Sequence, residues 1–402
     1  MLPPSVYAVR FLHTSDWHLG RSFHGVGLLA AQVLFLDHLV EVVRTEGVDA
    51  VVIAGDVYDR ALPPPDAVAA FSETLQRIVD AGAEVIVTSG NHDSAIRLGF
   101  AGGLLERAGV HLRTSLSDLR PVRIKDVDIH PLPYLEPQVC AAALETDDRT
   151  QAGVLRAAMA RIRPSFGLAR HDVVLAHAFV AGGVGSDSER DLSLGGVSAV
   201  PPEVFAGVSY AALGHLHGQQ QVAEGVRYSG SPVAMSFGEA HHRKGSLLVD
   251  LGGSAPAVEV VPAPVARRLA VLRGRLADLL ADPRHTEAEG AWCQVTLTDP
   301  IRPLGAMDRV RLRFPHALEV RFAPEGAASA PTSYAARVAS RADVEICCDF
   351  LGHVRSGAAA SPDERALLTE ALDESRRARH IRDDEGLVAD ARGIPEAVEG
   401  AA

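Results

Sequence analysis

Cysteine is scarce in this chain, with four in 402 residues: Cys140, Cys293, Cys347 and Cys348. They are scattered, and the adjacent pair lacks metal-finger spacing, so neither a disulfide scaffold nor a zinc-thiolate fold is expected. Their plainest role is that of small buried hydrophobes in a reducing cytoplasm. No apolar stretch reaches the roughly 20 residues of a membrane span, and the N-terminus lacks the charged and apolar regions of a signal peptide. No membrane partner is therefore expected. A basic excess is missing too, since the net charge is −12. Polyanion binding draws most of its affinity from basic side chains that release counterions, so the isolated chain should hold DNA weakly. Much of the acidity is terminal (Glu364, Glu370, Asp373, Glu374, Asp383, Asp384, Glu385). Two bound divalent cations would offset part of the remainder, so composition neither demands nor excludes nucleic acid.

What the chain does have is a series of short segments that follow apolar, β-branched runs and end in metal-friendly residues. They are Asp16-Trp17-His18, Gly55-Asp56, Gly90-Asn91-His92-Asp93, His177 and Gly214-His215-Leu216-His217. Carboxylate, amide and imidazole donors suit Mn²⁺, Fe²⁺ or Zn²⁺. Two metals sharing a carboxylate need about seven such ligands, and the series supplies them without cysteine. A dinuclear metallophosphoesterase is the expected chemistry.

The apolar runs preceding the motifs are Val9–Leu12, Ala50–Ala54, Glu84–Val87, Val173–Leu175 and Tyr210–Leu213. Runs of this length stopped by Gly, Ser or Asp read as strands buried on both faces. Between the first two, Leu29, Val33, Leu36, Val40 and Val43 recur at helical spacing, and a second helix is expected around Asp66 to Ala81. This β-α-β alternation brings ligands to the carboxyl ends of the strands, so all five motifs should meet on one rim.

A chain of 402 residues exceeds one ordinary core, so two or three domains are expected. Residues 1–264 carry every candidate ligand and form a catalytic domain, bounded by Gly252-Gly253-Ser254 and Pro262-Ala263-Pro264. Residues 265–345 read as a small α+β capping domain, with a helix at Leu276–Leu280 and strands at Cys293–Leu297 and Ala317–Phe322. Gly326–Thr332 reads as a loop inside it. Residues 346–382 read as helical, and the last twenty, 383–402, as a disordered tail.

His13-Thr14-Ser15-Asp16-Trp17-His18-Leu19-Gly20 resembles the opening motif of the bacterial SbcD nuclease subunit family, which is related to the double-strand-break repair nucleases. Ala54-Gly55-Asp56-Val57-Tyr58-Asp59 and Ser89-Gly90-Asn91-His92-Asp93-Ser94 are similar to its next two motifs. Ser188-Glu189-Arg190-Asp191, Ala212–His217 and Tyr228-Ser229-Gly230-Ser231-Pro232 agree as well. The likeness extends over roughly residues 9 to 350. GNHD and GHxH mark only the metallophosphoesterase superfamily, whereas the opening motif and YSGSP are more specific.

The resemblance implies an α/β metallophosphoesterase sandwich of mixed β-sheets flanked by helices, with the capping domain and C-terminal helices added. It places Asp16, His18 and His217 on one metal, Asn91, His177 and His215 on the other, and Asp56 as the bridge. The cofactors implied are two divalent metal ions, with Mn²⁺ preferred. His92, with Asn91 already a ligand, becomes a donor to the transition state or leaving group, oriented by Asp93. The implied substrates are double-stranded DNA ends and hairpins. The implied partner is an SMC-like ATPase of SbcC type, in a heterotetramer built on a homodimer, in the cytoplasm at the nucleoid. The rivals are a phosphatase or phosphodiesterase for small substrates and a silent scaffold. The filled ligand set argues against the scaffold, and the domain after residue 264 argues against the small-substrate enzyme.

Other histidines (His13, His24, His111, His130, His171, His316) are expected to be structural, and His241-His242 a solvated loop, because adjacent side chains diverge. The archaeal and eukaryotic relatives carry a histidine three positions after the bridging aspartate, where this chain has Asp59. Residues 1–8 look like an extension. Phe350, Leu351, Val354, Leu367, Leu368 and Leu372 form a narrow apolar stripe on a charged terminal segment. Such a helix is stabilised by burial against something, either the chain's own capping domain or, as the resemblance implies, the coiled-coil base of the ATPase.

Overall fold

The computed structural model describes residues 9–189, 199–253, 255–324, 342–355 and 359–385. Expectations on residues 1–8, on Arg190-Asp191, on the loop at 326–332 and on residues 386–402 lie outside these described residues. Residues 383–385, assigned to the tail above, continue the last helix.

Two six-stranded mixed sheets lie face to face. The first runs in the order 257–262, 245–250, 10–14, 50–54, 84–88, 110–113, and its last four strands are parallel. The second runs 220–223, 226–228, 210–214, 171–177, 127–131, 122–124, with antiparallel strands only at its edges. Strand alternation builds the layers, since successive side chains point to opposite faces. Val52, Ala54, Ile86, Val173, Leu175 and Ala212 face the centre of the sandwich. Val51, Ile53, Val85 and Val87 face outward onto Phe35, Leu39, Phe71 and Ile78 of the helices Leu29–Glu46 and Pro65–Asp80. On the other side, Val174, Ala211 and Leu213 meet Leu155, Ala158 and Met159 of the helix Gln151–Ile162. Both faces of each central strand are covered, which is why the strands read as unbroken apolar runs.

The first helix buries a stripe slightly rotated from the expected one. Phe35, Leu36, Leu39, Val40 and Val43 are inside, and Val33 is exposed. Gln32, which the apolar pattern passes over, lies on the buried side and ties the loop of the first motif. Its Nε2 donates to the carbonyls of Trp17 and His18 at 2.9 and 2.7 Å.

After residue 264 the expected small α+β domain is instead an α/β unit of three parallel strands, Leu269–Gly274, Trp292–Leu297 and Ala317–Phe322, with helices between them. Its own core gathers Leu272, Leu276, Leu279, Val295, Val310 and Phe314. The strand Leu269–Gly274 was not anticipated. It pairs in parallel register with the central strand, and its Val271 and Arg273 are exposed. The helices Asp343–Val354 and Pro362–Glu385 pair with one another, bridged by Arg376 to Asp343 at 2.8 Å. Phe350 and Leu367 are exposed on them. Among the described residues no helix is long and apolar enough to cross a membrane.

Candidate metal centre

All five motifs leave the carboxyl ends of neighbouring strands: 10–14, 50–54 and 84–88 in one sheet, 171–177 and 210–214 in the other. The chain must turn sharply there to aim side chains back across the sandwich. Asp16, His18, Asp56 and His215 accordingly have positive φ (54°, 45°, 50° and 108°), a conformation costly for residues with a Cβ and concentrated at functional sites. Two glycines make the approach feasible. A Cβ on Gly90 would stand 2.2 Å from Asp56 Oδ1, and one on Gly214 would stand 1.8 Å from the Ala54 carbonyl.

The structure brings all seven candidate ligands together. His18 Nε2 lies 3.2 Å from His217 Nε2 and 3.5 Å from Asp56 Oδ2. His177 Nε2 lies 3.5 Å from the same Asp56 oxygen and 2.9 Å from Asn91 Oδ1. His215 Nδ1 lies 3.3 Å from Asn91 Oδ1. The Asp16 carboxylate accepts the His215 backbone N–H at 3.0 Å and groups with His18 and His217, and also with Asp56 and His177. Asp56 thus stands between two sets of donors. Ligands around an ion at about 2.0–2.2 Å sit roughly 3–3.5 Å apart, so these spacings fit two cations.

Electrostatics agree. Burial, then the neighbouring Asp56 charge, pushes Asp16 well above the ordinary carboxylate range. Burial alone would raise Asp56 as well, but His177, His92 and His18 hold it below its ordinary value. Burial drives His18 down to about 3 and lowers His215 strongly, so both rings stay neutral with a lone pair to offer. Two carboxylates and the neutral rings of His18 and His215, with no arginine or lysine paired to Asp16 or Asp56 among the described residues, make a site suited to added positive charge.

His92 is at the same rim, its ring 4.6 Å from that of His18. The orienting bond to its Nδ1 comes from the Asp59 carbonyl at 2.8 Å, where the sequence pointed to Asp93. Asp93 instead accepts the backbone N–H groups of Val57, Tyr58 and Gly90 at 3.1, 2.9 and 2.9 Å, clamping the loop that carries Asp56. Burial, then Asp56, raises Asp93 to about 7. The Asp59 side chain joins His18 and His92 in a third group and pairs with Arg21 at 3.3 Å.

His13 is structural, as expected, while other supporting residues escaped the sequence. His13 is fully buried and ties the two sheets, its ring nitrogens 3.0 Å from Tyr210 Oη and 3.1 Å from the Leu213 carbonyl. Ser15 donates to Asp16 Oδ2 at 2.5 Å and meets Ser229 at 2.8 Å, which gives the YSGSP segment a place beside the site. Glu239 and Lys244 form a buried ion pair behind His217. Burial alone would raise Glu239, but hydrogen bonding to His217 and the Lys244 charge bring it below its ordinary value. Only the polar residues of YSGSP and of the segment beginning Ser188-Glu189 hinted at this layer. His241 and His242 join none of the described groups.

Comparison with known proteins adds three findings. Residues 9–219 match the calcineurin-like phosphoesterase family, and residues 265–354 match the type 5 capsule protein repressor C-terminal domain. The SbcD subunit of the SbcCD nuclease of Staphylococcus saprophyticus subsp. saprophyticus is 31% identical over 280 residues, covering 68% of this chain and 74% of that protein. Among solved structures, a dimetal phosphatase from Danio rerio is 13% identical, covering 63% of this chain and 98% of its own, with a TM-score of 0.38. GAP50, the anchor in the inner membrane complex of Plasmodium, is 10% identical, covering 63% and 84%, with a TM-score of 0.36.

Proposed function

The chain belongs to the SbcD nuclease family of calcineurin-like phosphoesterases, and from that premise we propose that it cleaves DNA phosphodiesters at double-strand ends and hairpins. It is a metal-dependent hydrolase. In this reading it acts as exonuclease and endonuclease in DNA repair and recombination, with an SMC-like ATPase of SbcC type. The observation that carries it is the convergence of seven donors, with Asp56 between two sets, on one rim.

Asp16, His18 and His217 would hold one ion and Asn91, His177 and His215 the other, with Asp56 shared between them. Two bound divalent ions, Mn²⁺ by preference, supply positive charge to the phosphoryl oxygens and acidify the attacking water. His92 donates through Nδ1–H to the Asp59 carbonyl, and as the imidazolium formed by taking up the proton lost from the attacking water it gives its Nε2 proton to the leaving oxygen. Asp93 holds the Asp56 loop at its working distance. Asp59, standing where some relatives carry histidine, pairs with Arg21 and helps to place His18 and the DNA end.

Residues 1–264 serve as the nuclease domain and 265–345 as a cap that selects DNA by shape. Residues 346–382 bind the ATPase. The exposed Phe350 and Leu367 support the partner role, because a helix pair leaving such residues in water gains by covering them. Leu62, Ile96, Phe100 and Leu104, at 70, 60, 80 and 70% exposure, support a homodimer surface. Arg97 Nη1 ties this region together by donating to the Ala61 carbonyl at 3.1 Å. A DNA substrate of this kind implies a cytoplasmic enzyme working at the nucleoid.

The test is Mn²⁺-dependent digestion of end-labelled duplex and hairpin DNA, with bis-p-nitrophenyl phosphate alongside and the ATPase present or absent. Hydrolysis of the small diester without any DNA cleavage in the complex would return the chain to the small-substrate class.

A further inference from the structure

Behind the ring of His217 stands a network of buried hydrogen bonds. Ser188 Oγ lies 2.6 Å from His217 Nδ1 and donates to Glu239 Oε1, which itself stands 3.5 Å from the same ring nitrogen. Glu239 is 1% exposed and Ser188 8%. The Glu239 carboxylate also accepts from Ser236 Oγ at 3.1 Å, from the Met235 N–H at 3.3 Å, and from Lys244 Nζ. Lys244 in turn donates to the His217 carbonyl at 3.0 Å and to Ser231 Oγ at 2.9 Å. Glu189, next to Ser188 in the chain, accepts the His217 backbone N–H at 2.7 Å, so one segment holds both ring and backbone.

Proton counting gives this arrangement a direction. An ionised carboxylate only accepts, and a hydroxyl has a single proton. Ser188 gives that proton to Glu239, so its oxygen is left to accept, and the bond to the ring must be donated by His217 Nδ1–H. Nε2 is then the nitrogen with the lone pair, and Nε2 is the atom facing His18 Nε2 at 3.2 Å. With Glu239 replaced by an apolar side chain, Ser188 could turn and donate to Nδ1, which would place the proton on Nε2 instead.

We propose that Glu239 is a positioning residue which, through Ser188, holds His217 as the Nδ1–H tautomer and so presents Nε2 to a divalent ion. The proposal rests on the reading of Asp16, His18 and His217 as an ion site. Lys244 keeps the buried Glu239 charge compensated, so the carboxylate remains an acceptor. The logic is that of outer partners that orient metal-binding imidazoles.

Two variants test it. Glu239→Met with Lys244→Met removes both buried charges together, an exchange that buried ion pairs often tolerate. Ser188→Ala removes the intermediate hydroxyl alone. The first readout is the ¹⁵N spectrum of the His217 ring in the metal-free full-length protein, which distinguishes the tautomers. The parent should show Nδ1–H with a bare Nε2, and the double variant should gain the Nε2–H form. The second readout is calorimetric Mn²⁺ binding. One of the two ions should bind about 10–100-fold more weakly in each variant while the other keeps its affinity. A parent-like His217 spectrum in the double variant overturns the proposal. If that variant does not fold, Ser188→Ala decides, and parent-like ring shifts with parent-like Mn²⁺ affinity overturn it. A parent protein that binds no Mn²⁺ through this group sinks the ion-site reading instead, and the metal-free spectra report on the tautomer regardless.

Discussion

Two buried groups of histidine and aspartate lie toward opposite ends of the strand His171–His177. One is the rim described above, at the carboxyl end. The other, Asp128, His130 and Asp172, sits toward the amino end, and the same donor types lie equally close there. What separates them is compensation. Arg123 reaches Asp128 with a forked pair of hydrogen bonds, one of them 2.7 Å. Asp172 accepts from His130 Nε2 at 2.8 Å and from the Gly167 N–H at 2.8 Å, and the His130 ring leans on Phe166 at 4.6 Å. Its chain geometry is also ordinary, whereas four rim residues have positive φ. A cluster of ligand-type residues thus marks an ion site when its charge is left open and its backbone is held in a costly shape. Where an arginine already fills the space, the same residues form a structural knot.

The sharpest way to break this contrast is to exchange the roles. Asp56→Ala should abolish hydrolysis and lower the metal stoichiometry, because Asp56 stands between both donor sets. Asp128→Asn should leave both unchanged. An Asp56→Ala protein with normal turnover and two bound ions would show that the rim is not the active centre.

Next in size is His92→Ser. Turnover should fall by roughly 10²–10⁴-fold, the worth of a positioned acid, with two ions retained by elemental analysis. Loss of an ion in this variant would place His92 among the ligands.

His13 offers a pH test, since it is buried beside the rim but pairs with Tyr210 and a carbonyl. Burial lowers it from 6.5 to about 3. The unfolded chain therefore binds a proton between these values that the folded chain does not, and stability falls as pH drops below about 6.5. Relative to His13→Gln, the parent should lose about 1.4 kcal/mol per pH unit between pH 6 and 4 in urea unfolding. Parallel pH curves for the two proteins would contradict the neutral, buried ring.

The smallest effect is expected at the knot. Asp172→Ala leaves His130 and the Gly167 N–H without their acceptor, a loss of about 1–3 kcal/mol in chemical denaturation. Activity per folded molecule and metal content should not change. A metal deficit there would erase the distinction between the two clusters.

Much of this architecture was already legible in the linear chain. Unbroken apolar runs ending in Asp16, Asp56, Asn91, His177 and His215 are a local pattern. The strand period and the buried parallel sheet follow from it, and with them the meeting of the motifs on one rim. The helices Leu29–Glu46 and Pro65–Asp80 were readable for the same reason, apart from the rotation that leaves Val33 exposed. Tertiary structure alone decided how the rim is supported. Ser188 meets His217 across 29 positions and Glu239 across 51, while His13 meets Tyr210 across 197. It also moved the orienting bond of His92 from Asp93 to the Asp59 carbonyl, and it separated the Asp128 knot from the rim by supplying Arg123. Periodicity records which face of an element is buried. Which buried polar atom finds which partner depends on distant segments brought together by folding, and no local pattern carries that information.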